Sequence, residues 1–235
     1  MRTAFVEDLH RITDHLVEMT RLAGSAIGRA TRALLDADIR LAEAVITADH
    51  EIDRAREDLD LHAIDLLARQ SPVATDLRVV VTAMRMSADL ERMGDLARHV
   101  AKVARLRYPE AAVPAELTAT VVQMGQVAER IVAKAGSVIA SRDLEEAKAL
   151  ERDDDAMDAL HRELFDHLLD DKWTHGTQAA VDLTLVGRYY ERFADHAVSV
   201  ARRVNFLVTG EWDVAEDRED EEDRLLALRH TNQAG

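Results

Sequence analysis

Apolar residues recur near the start of the chain at alternating steps of four and three: Phe5, Leu9, Ile12, Leu16, Met19, Ala23, Ala26, Ala30 and Ala33. This is the seam of a long helix packed in a bundle. The same rhythm returns at Leu117, Val121, Met124, Ala128, Ile131, Ala135 and Val138, after a break over residues 108–114. Each half of the chain therefore opens with a similar helix. A second helix is predicted over about 38–69 and again over about 144–172, and a third over about 74–106 and again over about 178–207. The third helices carry matching core stripes: Met86, Leu90, Met93, Ala97, Val100 and Ala104 become, one hundred positions on, Val186, Tyr190, Phe193, Ala197, Val200 and Val204. Short breaks at Gln70-Ser71-Pro72 and Thr174-His175-Gly176 make the second and third helices of each half antiparallel neighbours. The pattern predicts an all-α protein of six long helices, two tandem three-helix bundles related by an internal repeat, over residues 1–108 and 114–210.

Composition agrees with this reading. Aromatics are 4% of 235 residues against 47% hydrophobic overall, so Ala, Leu, Val, Ile and Met must fill the interior, as in helical proteins. The absence of cysteine excludes disulfides and thiolate metal sites. Glu7, Asp8 and Asp14 stand where a signal peptide needs an apolar run, and no stretch approaches the roughly 20 uncharged apolar residues of a membrane span, so a soluble cytoplasmic protein is expected. A formal charge of -15 argues against nucleic acid as a partner. Part of that charge lies in residues 211–223, EWDVAEDREDEED, and residues 211–235 read as an acidic, solvated, disordered tail.

The candidate chemistry lies in carboxylates. Glu91-Arg92-x-x-Asp95 and Glu191-Arg192-x-x-Asp195 are written one hundred positions apart, each pair on one face of a third helix. Against the Met86 to Ala104 stripe this face lies about 140° to 180° round the axis, which predicts that it points away from the bundle core. The second helices add Asp49 with Asp53 and Asp154 with Asp158, also at i and i+4. Folding the first hairpin about Pro72 sets Asp53 level with Glu91 and Asp49 level with Asp95, because both helices rise equally per residue. The second hairpin repeats this about residues 174–175. Four carboxylates at one height repel unless neutralised. A cation with a preference for hard oxygen ligands would do this, Mg²⁺, Ca²⁺, Mn²⁺ or iron among them. An arginine ladder would do it too, from Arg92, Arg192, Arg54, Arg56 or Arg162, and spacing leaves the two open. His99 shares the Asp95 face and His196 points about 100° away from Asp195; both read as surface histidines before ligands.

With these residues in view, the chain resembles the PhoU family of cytoplasmic regulators of phosphate uptake, from Met1 to about Gly210. The resemblance rests on the opening MRTAF, on DHEID at 49–53, SPVATDLR at 71–78, DLERMGDLA at 89–97 and YERFADHA at 190–197. It implies two three-helix bundles whose E(D)xxxD pairs bind metal clusters, of iron, zinc, manganese or magnesium, through Asp49, Asp53, Glu91, Asp95, Asp154, Asp158, Glu191 and Asp195. It further implies a homodimeric adaptor without catalytic activity, which links the ATPase subunit of the phosphate importer to a sensor histidine kinase and holds the phosphate-starvation response off. The chain departs from the family pattern at Val6 and Ala194 and lacks a second copy of SPVATDLR.

Two other readings compete. A ferritin-like di-iron enzyme needs two Glu-x-x-His sets projecting into the bundle core, and only Glu7-x-x-His10 matches. A helical adaptor whose acidic pairs bind no metal is the other. There is no phosphate loop of the form GxxxxGK[ST] and no Ser/His/Asp constellation, which favours an adaptor over an enzyme.

Overall fold

A computed structural model describes residues 2–211, with side chains from residue 5 onward; residues 212–235, nearly all of the predicted tail, lie outside it. The described residues form six α-helices and no strand: α1 (Arg2–Asp36), α2 (Ile39–Gln70), α3 (Thr75–Arg107), α4 (Thr118–Ser141), α5 (Leu144–Leu169) and α6 (Gly176–Thr209), with a 3-10 turn at Ala115–Leu117 before α4. None of these helices is long and apolar enough to cross a membrane.

Local chemistry fixes the helix ends at equivalent places in the two halves. Asp38 opens α2 by accepting from the backbone N–H groups of Arg40 and Leu41 at 3.0 Å each. Asp143 opens α5 by accepting from Glu145 and Glu146 at 2.8 and 3.2 Å. A cap of this kind stabilises a helix by about 1 kcal/mol. The helix α5 ends at Leu169, three residues short of the expected boundary, and leaves a longer loop over residues 170–175. At the far end of the first hairpin, buried Asp8 of α1 meets Arg11 at 2.6 Å and His62 of α2 at 3.4 Å, pinning the start of α1 to the end of α2.

The predicted seams are the core. Ile12, Leu16, Met19, Leu90, Met93, Val121, Met124, Ile131, Val186, Tyr190 and Phe193 are almost completely buried, each large one contributing about 1.5–3 kcal/mol. That core is continuous across the two halves rather than divided between them. Between the bundles, α1 packs on α4 and α3 on α6.

Both contacts are antiparallel and join equivalent helices, which is what a two-fold axis produces. On α1 and α4, a Cβ on Gly136 would stand 2.6 Å from Thr20 Oγ1, and one on Gly125 would stand 2.6 Å from Thr31 Cγ2. Advancing Thr20 by 105 positions gives Gly125, and advancing Thr31 by the same gives Gly136, so the two contacts are mates. On α3 and α6, Ser199 donates to Asp89 at 3.3 Å while the rings of His99 and Tyr189 lie 5.2 Å apart. Those two contacts are mates under the shift of one hundred. Glycine at 125 and 136 is what lets the α1 and α4 backbones come this close.

A fully buried polar bond also joins the two halves: Thr31 Oγ1 of α1 and Tyr190 Oη of α6 lie 2.6 Å apart. The Thr31 hydroxyl is also 2.8 Å from the Ile27 carbonyl oxygen. Two consequences are measurable. Because the halves share a core, urea should unfold both in one transition, and two resolved transitions would contradict the shared core. Tyr190→Phe deletes the cross-seam bond and should lower stability by about 1 kcal/mol, read as an earlier midpoint at unchanged slope.

Candidate functional site: two acidic hairpin grooves

The helices α2 and α3 diverge on their outer side into a groove of about 510 Å³ lined by Asp53, Arg56, Glu57, Asp60, Glu91, Asp95 and Arg98. Gly94 sets the depth of approach, because a Cβ there would stand 2.7 Å from Ile52 Cδ1 and 3.3 Å from Asp49 Oδ1. The level pairing expected of the two acidic pairs is seen: one guanidinium, Arg98, contacts Asp49 of α2 at 2.5 Å and also Asp95 of α3. The carboxylates lie away from the bundle core, as the stripe geometry predicts, but in the groove rather than on open surface. The Glu91 and Asp95 side chains are each 18% exposed and Asp49 only 4%. The neighbouring helix covers what the arithmetic of a single helix leaves bare.

Arginine neutralises much of this first set. Besides Arg98, Arg56 lies 3.3 Å from Glu91 and Arg92 lies 3.2 Å from Asp95. Asp53, the most exposed of the four, has His50 at 3.4 Å. The Arg98–Asp49 contact is close but off the hydrogen-bonding direction, leaving Asp49 Oδ2 without an aligned donor. Burial raises the Asp49 pKa, with Asp53 and Asp95 adding to the rise and Arg98 opposing it.

The second acidic set, on α5 and α6, is balanced differently. Arg188 contacts both oxygens of Glu191, and the Nε of Arg162 donates to the Asp158 backbone carbonyl at 3.3 Å. Asp154 is pushed up from the ordinary carboxylate value of 3.8 to about 7, first by burial and then by the charges of Asp195, Asp158 and Glu191. Burial likewise raises Glu191, with Asp195 adding to it and Arg188 opposing. Ala194 takes the place of the glycine. The close approach moves back along the helix to Gly187, where a Cβ would stand 2.7 Å from Leu164 Cδ2 and 3.0 Å from His161 Cδ2.

Both histidines considered as ligands belong instead to the α3/α6 seam. His99 packs on Tyr189, and burial followed by Lys102 and Arg98 lowers its pKa. His196 Nδ1 lies 3.2 Å from Asp89, whose carboxylate also accepts from Arg203 at 2.7 Å. Spacing also missed Arg98 and Arg188. Each lies three positions from an acidic member of the repeated motif, Arg98 after Asp95 and Arg188 before Glu191, so an i, i+3 search for partners would have found both. Glu7 and His10, the one Glu-x-x-His set, are exposed rather than core-facing.

The donor set is all carboxylate, which suits a hard divalent cation. Among the described residues no three Asp, Glu or His side chains converge closely enough to share one ion as they stand. The first groove places a guanidinium between Asp49 and Asp95, in the position a cation would take. The second set surrounds Asp154 with the negative charge of Asp195, Asp158 and Glu191.

A tandem of three-helix units joined by a two-fold, each with an acidic pair on its second and third helices, defines a class of helical repeat protein. The PhoU domain model matches twice, over residues 16–104 and 121–204, and the chain belongs to the PhoU family. A phosphate-specific transport system accessory protein PhoU homolog 2 from Mycobacterium tuberculosis is 51% identical over 210 residues, 89% of this chain and 99% of that protein. Homolog 1 from Mycobacterium leprae is 51% identical over 212 residues, 90% of this chain and 96% of that protein. The crystal structure of PhoU from Pseudomonas aeruginosa superposes with a TM-score of 0.77 at 28% identity, covering 88% of this chain and all of that one.

The raised Asp154 makes a pH prediction. Unfolded, the group ionises near 3.8; folded, it holds its proton to about 7. Between those values the unfolded chain has lost a proton that the native state keeps, so rising pH favours unfolding. The stabilisation is complete below about pH 4 and gone above about pH 7. In chelator-treated protein, Asp154→Asn should melt with the parent near pH 4 and above it at pH 8. A difference of equal size at both pH values would contradict the assignment.

Proposed function

We propose that the chain is an accessory regulator of phosphate uptake: a non-catalytic adaptor that couples the ATPase subunit of the phosphate importer to a sensor histidine kinase and represses the starvation response when phosphate is plentiful. The observation that supports this most is the family match over both halves, with acidic pairs kept at all four equivalent positions. Its relatives are named as accessory and regulatory proteins of phosphate transport, which supports the same reading. Exposed Glu7 and His10 give the ferritin-like reading no core-facing ligand set.

Metal enters this reading unequally. Asp154, Asp158, Glu191 and Asp195 would hold a divalent cation, Mg²⁺, Mn²⁺, Fe²⁺ or Zn²⁺, whose charge would relieve their mutual repulsion. Asp49, Asp53, Glu91 and Asp95 would hold one only after Arg98 leaves, because a guanidinium and a cation cannot share the space between Asp49 and Asp95.

Two experiments test this. Deleting the gene should raise transcription of phosphate-starvation genes several-fold in phosphate-rich medium, and the full chain supplied on a plasmid should restore repression; unchanged transcription in the deletion would contradict the regulatory role. In calorimetric titration with Mn²⁺, the chain should bind about one ion with useful affinity, lose it in Asp154→Ala/Glu191→Ala, and gain a second in Arg98→Ala. Two equal sites in the parent chain would contradict the inequality.

A further inference from the structure

Each acidic groove runs on, toward its hairpin tip, into exposed apolar surface. On α3 the stripe Leu77, Val81, Met84, Ala88, Glu91 and Asp95 follows steps of four and three, so these residues share one face. Leu77 is 41% exposed, Val81 38%, and Ile64 on the facing side of α2 55%. One hundred positions on, Val181 is 52% exposed, with Leu185 at 42% on the same helix and Leu169 at 79% at the end of α5. Single exposed apolar side chains are ordinary. Two exposed positions recur in both halves, Val81 with Val181 and Ile64 with Leu169, although Leu77 becomes Thr177 and Leu185 stands where the first half has Arg85; none of these side chains fills the core.

The symmetry of the fold limits what can cover both. The axis that relates Thr20–Gly136 to Thr31–Gly125, and Asp89–Ser199 to His99–Tyr189, also relates the two hairpins. A two-fold keeps height along its own axis, so the two surfaces lie on one side of the molecule. Val81 lies thirteen positions from Gly94, near the middle of the α3/α6 crossing, so the apolar ends stand roughly 40 Å apart along the helices. The charge left over in the grooves is acidic, as is the chain at -15, which disfavours anionic lipid and nucleic acid.

We infer that the two hairpin faces together form one docking surface for a homodimeric protein, each of whose subunits offers an apolar helical face edged with Lys or Arg, with one copy of this chain bound per partner dimer. Charge complementarity selects the basic edge, the exposed side chains select the apolar centre, and the internal two-fold selects a symmetric partner. The inference rests on the adaptor reading above.

The test mixes the full chain with two probes in turn, the purified importer ATPase subunit and the detergent-solubilised sensor kinase, and reads complex mass by light scattering. One chain per probe dimer is expected with at least one probe. Val81→Asp and Val181→Asp should each weaken that complex at least tenfold, with helical content and melting temperature unchanged, and Ile64→Lys should do the same. Two chains per dimer, or a complex indifferent to all three substitutions, overturns the inference and leaves the adaptor reading standing. A chain that self-associates through these faces, becoming monomeric in Val81→Asp, also overturns it. No complex with either probe overturns both readings.

Discussion

The close antiparallel approach of α1 to α4 is the contact on which the rest of this molecule depends. A two-fold contact between equivalent helices needs small residues where the backbones meet, and Gly125 and Gly136 receive Thr31 and Thr20 there. Without that approach the buried Thr31–Tyr190 bond could not form, and the core would divide into two small ones. A single half would bury a smaller share of its surface and be correspondingly marginal. Fusing the halves across a shared seam removes that problem and fixes the hairpins relative to each other.

The acidic grooves follow from this frame. In each half, α3 or α6 gives one flank to the seam and another to its hairpin partner, so the repeated ERxxD motif lies between two packed faces rather than on open surface. Burial there makes charge expensive, and the two halves solve this in different ways. The first supplies a guanidinium, Arg98, to two carboxylates; the second leaves Asp154 with its proton up to about pH 7. Duplicated architecture therefore does not imply duplicated chemistry.

Much of this was legible from the residues alone. Periodicity located six helices, and hairpin geometry set Asp49 level with Asp95, which Arg98 now bridges. The approach of α1 to α4 was not legible, because glycine and threonine at 20, 31, 125 and 136 carry no periodic signal of their own. His99 and His196 were misplaced on the surface for the same reason: a single helix does not show which flank a second bundle will cover. The partial burial of Glu91 was not legible either, since a stripe angle does not count the facing helix α2, whose Arg56 covers it. Arg98 and Arg188 were within reach, being three positions from Asp95 and Glu191. Their role emerged only when the facing helix supplied Asp49 or left Asp154 without such a bridge.

The central claim is that two repeats form one rigid two-fold body that holds its acidic hairpins at a fixed separation. The chain contains no cysteine, so Glu57→Cys and Arg162→Cys place spin labels on α2 and α5 without background. Pulsed electron paramagnetic resonance on the full chain should give a single narrow distance distribution, unchanged by divalent cations. A broad or two-peaked distribution would contradict the account, because it would mean that the halves move as separate bundles.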